Sequence, residues 1–314
     1  MAEITDKDVV QNNAAGVPET DEQGKEQFVD NAYMLTVLHE NEKALKEYEA
    51  ILEKNPGNGD AWYNKGVTLQ SLGRVYESMD AYEQAVRINP GDSDAWYNWG
   101  LVLLSLSRPR DAVEKFAKAF AIDPSNTDAG FNKGNAFLEL GAYDEAISAF
   151  DDVLAGNPNH EKAAFNKALA CARIGEEEAE AGNEEKAAQA YEKAVRAYDN
   201  VIRINPNDAL LWYSKGQLFL KLKDEKDALE SFSMSLKLIP DLPSSWFRVG
   251  GIFALCGQKE MSLKYLSRAL KADSKVRETA PQDLDYRSLW DDPDFKAVLD
   301  GEGTAPADDT PQQA

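Results

Sequence analysis

A segment of similar sequence recurs along this chain at a spacing of 34 residues. The run Ala-Trp-Tyr-Asn-Lys-Gly starts at Ala61 and returns, with small changes, at Ala95. The copies start at or near Phe28, Ala61, Ala95, Ala129, Ala163, Trp212 and Trp246. This period constrains the fold more than any other feature, because each copy must form one supersecondary unit that packs against the next.

Each copy has the pattern of two helices joined by a turn. Apolar residues recur at helical spacing in two runs, which are separated by turns such as the one at Gly73. A proline such as Pro90 ends the second helix, and a polar residue such as Asp92 can cap the next one. Small residues in both runs, for example Gly66 and Ser78, allow the two helices to approach closely. The pattern therefore predicts an all-α protein of stacked helix pairs.

This pattern resembles the tetratricopeptide repeat (TPR) family, whose signature is Trp-x2-Leu-Gly-x2-Tyr, then Ala-x3-Phe, then Pro. The third copy matches it with Trp96, Gly100, Ala112, Phe116 and Pro124. The resemblance covers roughly residues 25–274. It implies a right-handed α-solenoid of about seven helix–turn–helix units, in which the first helices line a concave groove for other proteins.

The repeats divide the chain into four parts. We predict a disordered acidic tail at 1–24, seven repeats, capping helices at 275–299 and a second disordered tail at 300–314. The repeats are 25–58, 59–92, 93–126, 127–160, 161–208, 209–242 and 243–274. The residues expected to cover the last helix pair are Leu284, Leu289, Trp290, Phe295 and Leu299. A helix start is expected at Asp292, because proline follows it.

The fifth repeat, 161–208, is longer than its siblings by 14 residues. Since seven residues are about two helical turns, we predict that both of its helices are lengthened by two turns and form a spur. The tip of this spur is acidic and contains Glu176, Glu177, Glu178, Glu180, Glu184 and Glu185. It is interpreted either as a docking site for a basic partner or as a solvated helix face, which is what charge runs usually are.

Composition excludes several classes of function. The formal net charge of −21 would repel a phosphate backbone, so no nucleic-acid partner is expected. The charged N-terminal residues do not resemble a signal peptide, and no apolar run is long enough to cross a membrane. We therefore expect a cytoplasmic protein with no membrane association. The two cysteines, Cys171 and Cys256, exclude a disulfide framework, and no metal site or cofactor is predicted.

Catalytic motifs are absent from the sequence. The histidines, His39 and His160, have no third group at a motif spacing, and the glycines follow the repeat, with no phosphate-binding loop. We predict no catalytic residues and no enzymatic activity.

The family resemblance implies which residues line the groove, because positions one and two after the tryptophan slot face it. With the next turn, the predicted groove residues are Tyr63, Asn64, Tyr97, Asn98, Phe131, Asn132, Asn135, Phe165, Asn166, Tyr213, Gln217, Phe247 and Arg248. A carboxamide can pair with the amides of an extended peptide, and the rings offer rigid apolar area. The alternative is that these side chains only pack and cap.

The sequence therefore favours an adaptor or scaffold that binds an extended segment of a protein or peptide partner. Two other functions stay open. One is a self-assembling structural protein, so that a homo-oligomer is possible, and the other is a non-catalytic subunit that delivers substrate to an enzyme.

Overall fold

The structure, a computed structural model, describes residues 32–36 and 40–301. All regular elements in these ranges are helices, which confirms the predicted all-α class. Two compact units make up the chain, Met1–Leu103 and Leu104–Ala314. The predicted tail at 1–24 and residues 302–314 of the second tail lie outside the described residues, as does His39. The number of repeats and the handedness of the superhelix stay predictions.

The first unit contains a helical segment at 32–36 and four longer helices. These are α1 (Asn41–Lys54), α2 (Gly59–Ser71), α3 (Val75–Ile88) and α4 (Ser93–Ser105), whose last residues cross the unit boundary. Ala32, Ala44 and Tyr48 form one buried cluster in this unit. Leu69 of α2 and Ala81 of α3 belong to a second one.

The second unit contains the remaining helix pairs and the C-terminal segment. Its longer helices are α5 (Pro109–Ile122), α6 (Thr127–Glu139), α7 (Tyr143–Gly156), α8 (Glu161–Glu180), α9 (Glu184–Ile204), α10 (Ala209–Lys221), α11 (Glu225–Leu238), α12 (Pro243–Leu255) and α13 (Lys259–Ala272). After them come α14 (Val276–Thr279), two 3-10 helices (Ala280–Gln282 and Leu284–Leu289) and α15 (Pro293–Asp300). The pairs α6/α7, α8/α9, α10/α11 and α12/α13 each pack along their length.

Polar residues cap the first helices of the second to sixth repeats. The side chain of Asp92 accepts a hydrogen bond from the Ala95 amide at 2.9 Å, and Asn126 accepts one from Ala129 at 3.1 Å. Each bond satisfies an amide that the helix itself leaves unpaired, and losing such a cap costs about 1 kcal/mol.

In four of the repeats, a tryptophan of the first helix is hydrogen-bonded to the end of the preceding helix pair. The indole Nε1 donates to the carbonyl of the preceding repeat's final proline at distances of 2.8–3.3 Å. The pairs are Trp62–Pro56, Trp96–Pro90, Trp212–Pro206 and Trp246–Pro240. The proline thus ends one helix while its carbonyl fixes the start of the next.

Glycines of the first helices lie directly against aromatic rings of the second helices. A Cβ added to Gly66 would lie 2.7 Å from the Tyr82 ring, and one added to Gly216 would lie 2.8 Å from the Phe232 ring. Real Cβ atoms do not approach rings this closely, so only glycine fits at this helix–helix distance.

In the fifth repeat, α8 has 20 residues and α9 has 21, whereas α10 and α11 have 13 and 14. The extra residues are therefore divided equally between the two helices. The longer pair also has its own close contact, because a Cβ on Gly175 would lie 2.5 Å from Cδ1 of Tyr191. Gly175 and Tyr191 are 16 residues apart, like Gly66 and Tyr82, so the spur repeats the normal packing seven residues further along α8.

In the second to seventh repeats, the turn between the two helices contains a residue in the left-handed backbone conformation. Glycine supplies it at Gly141 and Gly182, with φ of 70° and 78°. In the third and sixth repeats Ser107 and Lys223 occupy this position with φ of 55° and 59°. These two residues bear a strain that glycine avoids.

The C-terminal segment packs on the last helix pair, α12/α13. Leu289, Phe295 and Leu299 are buried in one cluster with residues of that pair, and α15 begins at the Asp292 cap and Pro293 as expected. The expectation for Leu284 is wrong, because its side chain is 70% exposed. In the 3-10 helix Leu284–Leu289, Tyr286 takes the buried position instead, and this turns Leu284 outward.

Candidate functional site

In the first unit, the predicted groove residues lie half-buried on α2 and α4. The Asn98 amide nitrogen donates to the Tyr63 hydroxyl at 3.2 Å and to the Asp94 carbonyl at 2.9 Å. Both of its N–H groups therefore have partners inside the unit, and its carboxamide oxygen is the group that can accept from an incoming amide. Asn64 and Tyr97 are also half-buried on these helices.

Tyr63 is held in its neutral form. Burial raises the pKa of its phenol, and the carboxylates of Asp94 and Asp92 raise it further, while the hydrogen bond from Asn98 opposes the shift. The hydroxyl is consequently both a donor and an acceptor at physiological pH.

In the second unit, two of the predicted asparagines contact each other across neighbouring repeats. The Asn166 amide nitrogen on α8 donates to the Asn135 carboxamide oxygen on α6 at 2.7 Å. Phe131 and Asn132 on α6 are half-buried. Phe165 is 37% exposed, and its ring is nearly perpendicular to the Tyr198 ring, with 6.1 Å between the ring centroids. This arrangement orients the carboxamides and leaves part of an aromatic ring in contact with solvent.

On α10, the predicted groove residues Tyr213 and Gln217 are half-buried. The Gln217 amide nitrogen donates to the Tyr213 hydroxyl at 3.0 Å, which fixes both side chains. Leu210, one turn before Ser214 on this helix, is 56% exposed. It was not among the predicted groove residues, although its spacing of three residues from Tyr213 already places the two on one face.

On α12, the predicted groove residues Phe247 and Arg248 contact the C-terminal segment of the chain itself. Phe247 is buried, and its carbonyl accepts a hydrogen bond from the Tyr286 hydroxyl at 2.6 Å. Arg248 Nη1 lies 2.9 Å from Asp283 Oδ2 and 3.0 Å from Asp285 Oδ2. Unlike the residues on α8 and α10, this pair does not present an open surface.

The charges around Arg248 affect each other. Burial alone would lower the pKa of Arg248, but Asp283, Tyr213 and Asp285 together outweigh it and the net shift is upward. Burial raises the pKa of Asp285, as does the carboxylate of Asp283, against the opposing effect of Arg248. Two acidic side chains thus share one guanidinium in a partly buried place.

Three of the six acidic residues at the spur have partners within the unit. Glu176 Oε2 lies 2.9 Å from Arg173 Nη1, Glu178 accepts from Asn183 Nδ2 at 2.7 Å, and Glu184 Oε2 lies 3.8 Å from Lys223 Nζ. Glu177, Glu180 and Glu185 are exposed. Local pairs of this kind favour the interpretation of a solvated face.

A cleft of about 430 Å³ lies between the spur and the turn of the fourth repeat. Its lining includes Tyr143, Asp144, Glu145, Ile174, Glu177 and Glu178. The cleft is open and acidic.

Within 32–36 and 40–301, no group of three or more His, Cys, Asp or Glu side chains is placed to hold a metal ion. His160 has a structural role, since its Nδ1 accepts from the Ala163 amide at 3.1 Å and caps α8. Cys171 is buried and Cys256 is exposed, and both are unpaired thiols.

Every helix in the part of the chain that the structure describes is too short or too polar to span a bilayer.

Comparison with known proteins agrees with this architecture. A tetratricopeptide repeat model matches residues 38–93, 97–161 and 131–191, and a second TPR model matches residues 182–223. The chain belongs to the tetratricopeptide repeat family. The resemblance in the sequence is thereby confirmed, and members of the TPR family generally act as interaction modules. No curated protein matches the sequence of this TPR chain.

Several solved TPR structures are similar to this one. The C-terminal part of a TPR repeat-containing protein from Cytophaga hutchinsonii is 13% identical, with a TM-score of 0.63, over 80% of this chain and 98% of its own. A tetratricopeptide repeat protein from Parabacteroides merdae is 16% identical, with a TM-score of 0.50, over 84% and 98%. YrrB, described as a TPR protein with an unusual peptide-binding site, is 28% identical over 61% and 91%, with a TM-score of 0.47.

Proposed function

We propose that this TPR protein is a non-catalytic scaffold that binds an extended segment of a partner protein along its first helices. The observation that carries the proposal is the row of oriented carboxamides beside partly exposed rings, as at Asn135, Asn166 and Phe165. Membership of a family of interaction modules supports it.

The bond between Asn166 and Asn135 leaves further hydrogen-bonding capacity on both side chains. Asn166 keeps a carboxamide oxygen and a second N–H, and Asn135 keeps its amide nitrogen. These groups suit the alternating C=O and N–H groups of an extended backbone, whatever its side chains. The carboxamides are already held in place, so little side-chain entropy is lost on binding.

The experiment uses a display library of random peptides on the intact chain, followed by affinity measurement on purified variants. Replacing Asn132 and Asn166 by alanine is expected to weaken the selected peptides about tenfold or more, since two hydrogen bonds are each worth about 1 kcal/mol. Asn159→Ala, in an exposed turn of the same unit, is the matched control and should leave affinity unchanged.

Helical content by circular dichroism should be the same in all three proteins. Peptides that bind the double variant as tightly as the wild type would contradict the assignment of the binding surface to the first helices.

A further inference from the structure

The first helix of the fifth repeat, α8, begins with a cap of a different chemical kind from its siblings. The first helices of four other repeats are capped by the side-chain oxygens of Asn58, Asp92, Asn126 and Asp208. At the corresponding position, Nδ1 of His160 accepts from the Ala163 amide at 3.1 Å. A carboxamide or a carboxyl group keeps an acceptor oxygen at any pH, whereas an imidazole nitrogen accepts only while it carries no proton. Imidazoles change charge between about pH 5 and 8, so this cap alone can be lost in mild acid.

Protonation of His160 removes the cap and adds a charge of the wrong sign. An imidazolium has two N–H donors and no acceptor, so the Ala163 amide loses its partner. The N-terminus of a helix also carries a partial positive charge, which disfavours a cation there. The Phe131 ring, with its centroid 5.2 Å from that of His160, attracts the cation only weakly, because the imidazole is half-buried and hydrated.

The charged side chains next to the imidazole lie on α8 and α6, because the turn before α8, residues 157–159, has none. Glu161 and Lys162 are exposed on the first turn of α8, and Asp128 is exposed on the first turn of α6. Lys133 of α6 lies 3.9 Å from a carboxylate of α7. Among the residues that the structure describes, none of these groups forms an ion pair with His160. The exposed charges have both signs and are screened by salt, so the cap hydrogen bond decides what protonation does.

The start of α8 is joined to the proposed binding surface by two contacts with α6. One is the contact of the His160 ring with Phe131, a predicted groove residue. The other is the hydrogen bond from Asn166, on the second turn of α8, to Asn135 of α6 at 2.7 Å. Helix ends fray when their terminal amides lose their partners. Loss of the cap therefore loosens the part of α8 that holds the carboxamide pair in place.

We propose that His160 makes peptide binding on the α6/α8 surface sensitive to mild acid. The inference rests on the proposed function and adds its regulation. With a neutral imidazole, the first turn of α8 is fixed, and Asn166 and Asn135 are oriented for an extended backbone. When the imidazole takes up a proton, the first turn frays, the carboxamide pair loses its support and the peptide binds more weakly.

The first test measures the affinity of library-selected peptides without histidine at about pH 7.5 and about pH 5.5. The wild type should bind about fivefold more weakly at the lower pH, the factor that corresponds to an N-cap worth about 1 kcal/mol. His160→Asn gives α8 the cap residue that Asn126 provides for α6, so its affinity should be the same at both pH values.

The control is His39→Asn, which removes the second of the two histidines in the chain and should keep the wild-type pH dependence. An equal fall in affinity in His160→Asn would assign the effect to another group and would overturn the inference.

Hydrogen exchange of the Ala163 amide, followed by NMR on the intact chain, tests the cap without any peptide. The exchange rate in the wild type is divided by the rate in His160→Asn at each pH, which removes the general effect of pH on exchange. This ratio should rise about fivefold between the two pH values, because only the wild type loses its cap. A constant ratio would show that the cap survives protonation, which contradicts the inference.

The two proposals fail in different ways. If library peptides bind and depend on Asn132 and Asn166, but His160→Asn does not change the pH dependence, the scaffold function stands and the acid sensitivity is wrong. If the exchange ratio rises in acid but no library peptide binds in an asparagine-dependent manner, the scaffold function itself is wrong.

Discussion

The contact between Gly134 and Phe150 gives the sharpest test of how the helix pairs are packed. A Cβ on Gly134 would lie 2.7 Å from Cζ and 2.8 Å from Cδ1 of the Phe150 ring, and closer still to Cε1. The ring is fully buried, so it has no open space to move into. Gly134→Val would therefore force α6 away from α7.

The expected cost of Gly134→Val follows from two opposing effects. Overpacking of a filled core costs about 1–3 kcal/mol, with β-branched valine toward the upper end. The better helix propensity of valine returns only about 0.3 kcal/mol. We expect the free energy of unfolding to fall by about 2 kcal/mol, measured by urea denaturation with far-UV circular dichroism.

A matched control is Gly156→Val at the end of α7, where the added Cβ would meet no atom within 4 Å apart from its chain neighbours and its own helix backbone. This change should alter the free energy of unfolding by less than about 0.5 kcal/mol. Wild-type stability in Gly134→Val would refute the close packing of α6 on α7.

A double-mutant cycle tests the same contact directly. Phe150→Ala alone should cost about 3–5 kcal/mol, because it leaves a cavity. In the Gly134→Val background the valine partly fills that space, so the cost should be smaller by about 1 kcal/mol or more. Strict additivity of the two changes would mean that the two residues do not touch.

The remaining predictions concern the two thiols and one carboxyl. Cys256 is exposed and should react with a thiol reagent in the native protein. Cys171 should react only on unfolding, because it is buried and burial raises the pKa of its thiol. Equal labelling rates of the two thiols in a quantitative time course would contradict this prediction. The pKa of Asp285 in the folded protein is raised above its ordinary value of 3.8, so ionisation of this carboxyl opposes folding. The contribution of Asp285 to the free energy of unfolding therefore falls as pH rises from about 3.8 through the raised pKa. Asp285→Asn should accordingly gain stability relative to the wild type as pH rises through this window, and a difference independent of pH would refute the shift.

Much of the fold could be predicted from the sequence, because the determinants are local and repeated. The helix caps at Asp92 and Asn126 and the helix start at Asp292 depend on residue type within a few positions. Leu284 could not be placed in this way. Its spacing suits a buried face, but the 3-10 geometry after Asp283 gives the buried position to Tyr286.

The candidate site stays a prediction, and the sequence gives its positions on the first helices without their contacts. Sequence spacing puts Asn98 and Asn166 on the first helices, while the partners of their amides, Tyr63 and Asn135, come from a neighbouring repeat. Such partners depend on the distance between helices, and no local pattern encodes it.

The sequence by itself determined the helix pairs, the family and the division of the extra residues in the fifth repeat, since helical periodicity and small–aromatic spacing are properties of consecutive residues. Only the tertiary structure decided which side chains of the first helices remain exposed to solvent. Arg248 and Phe247 form hydrogen bonds with a segment more than 30 residues away in the chain, whereas Phe165, Leu169 and Leu210 remain partly exposed. Whether a side chain is buried depends on which distant segments of the chain pack against it, and those contacts form only when the chain has folded.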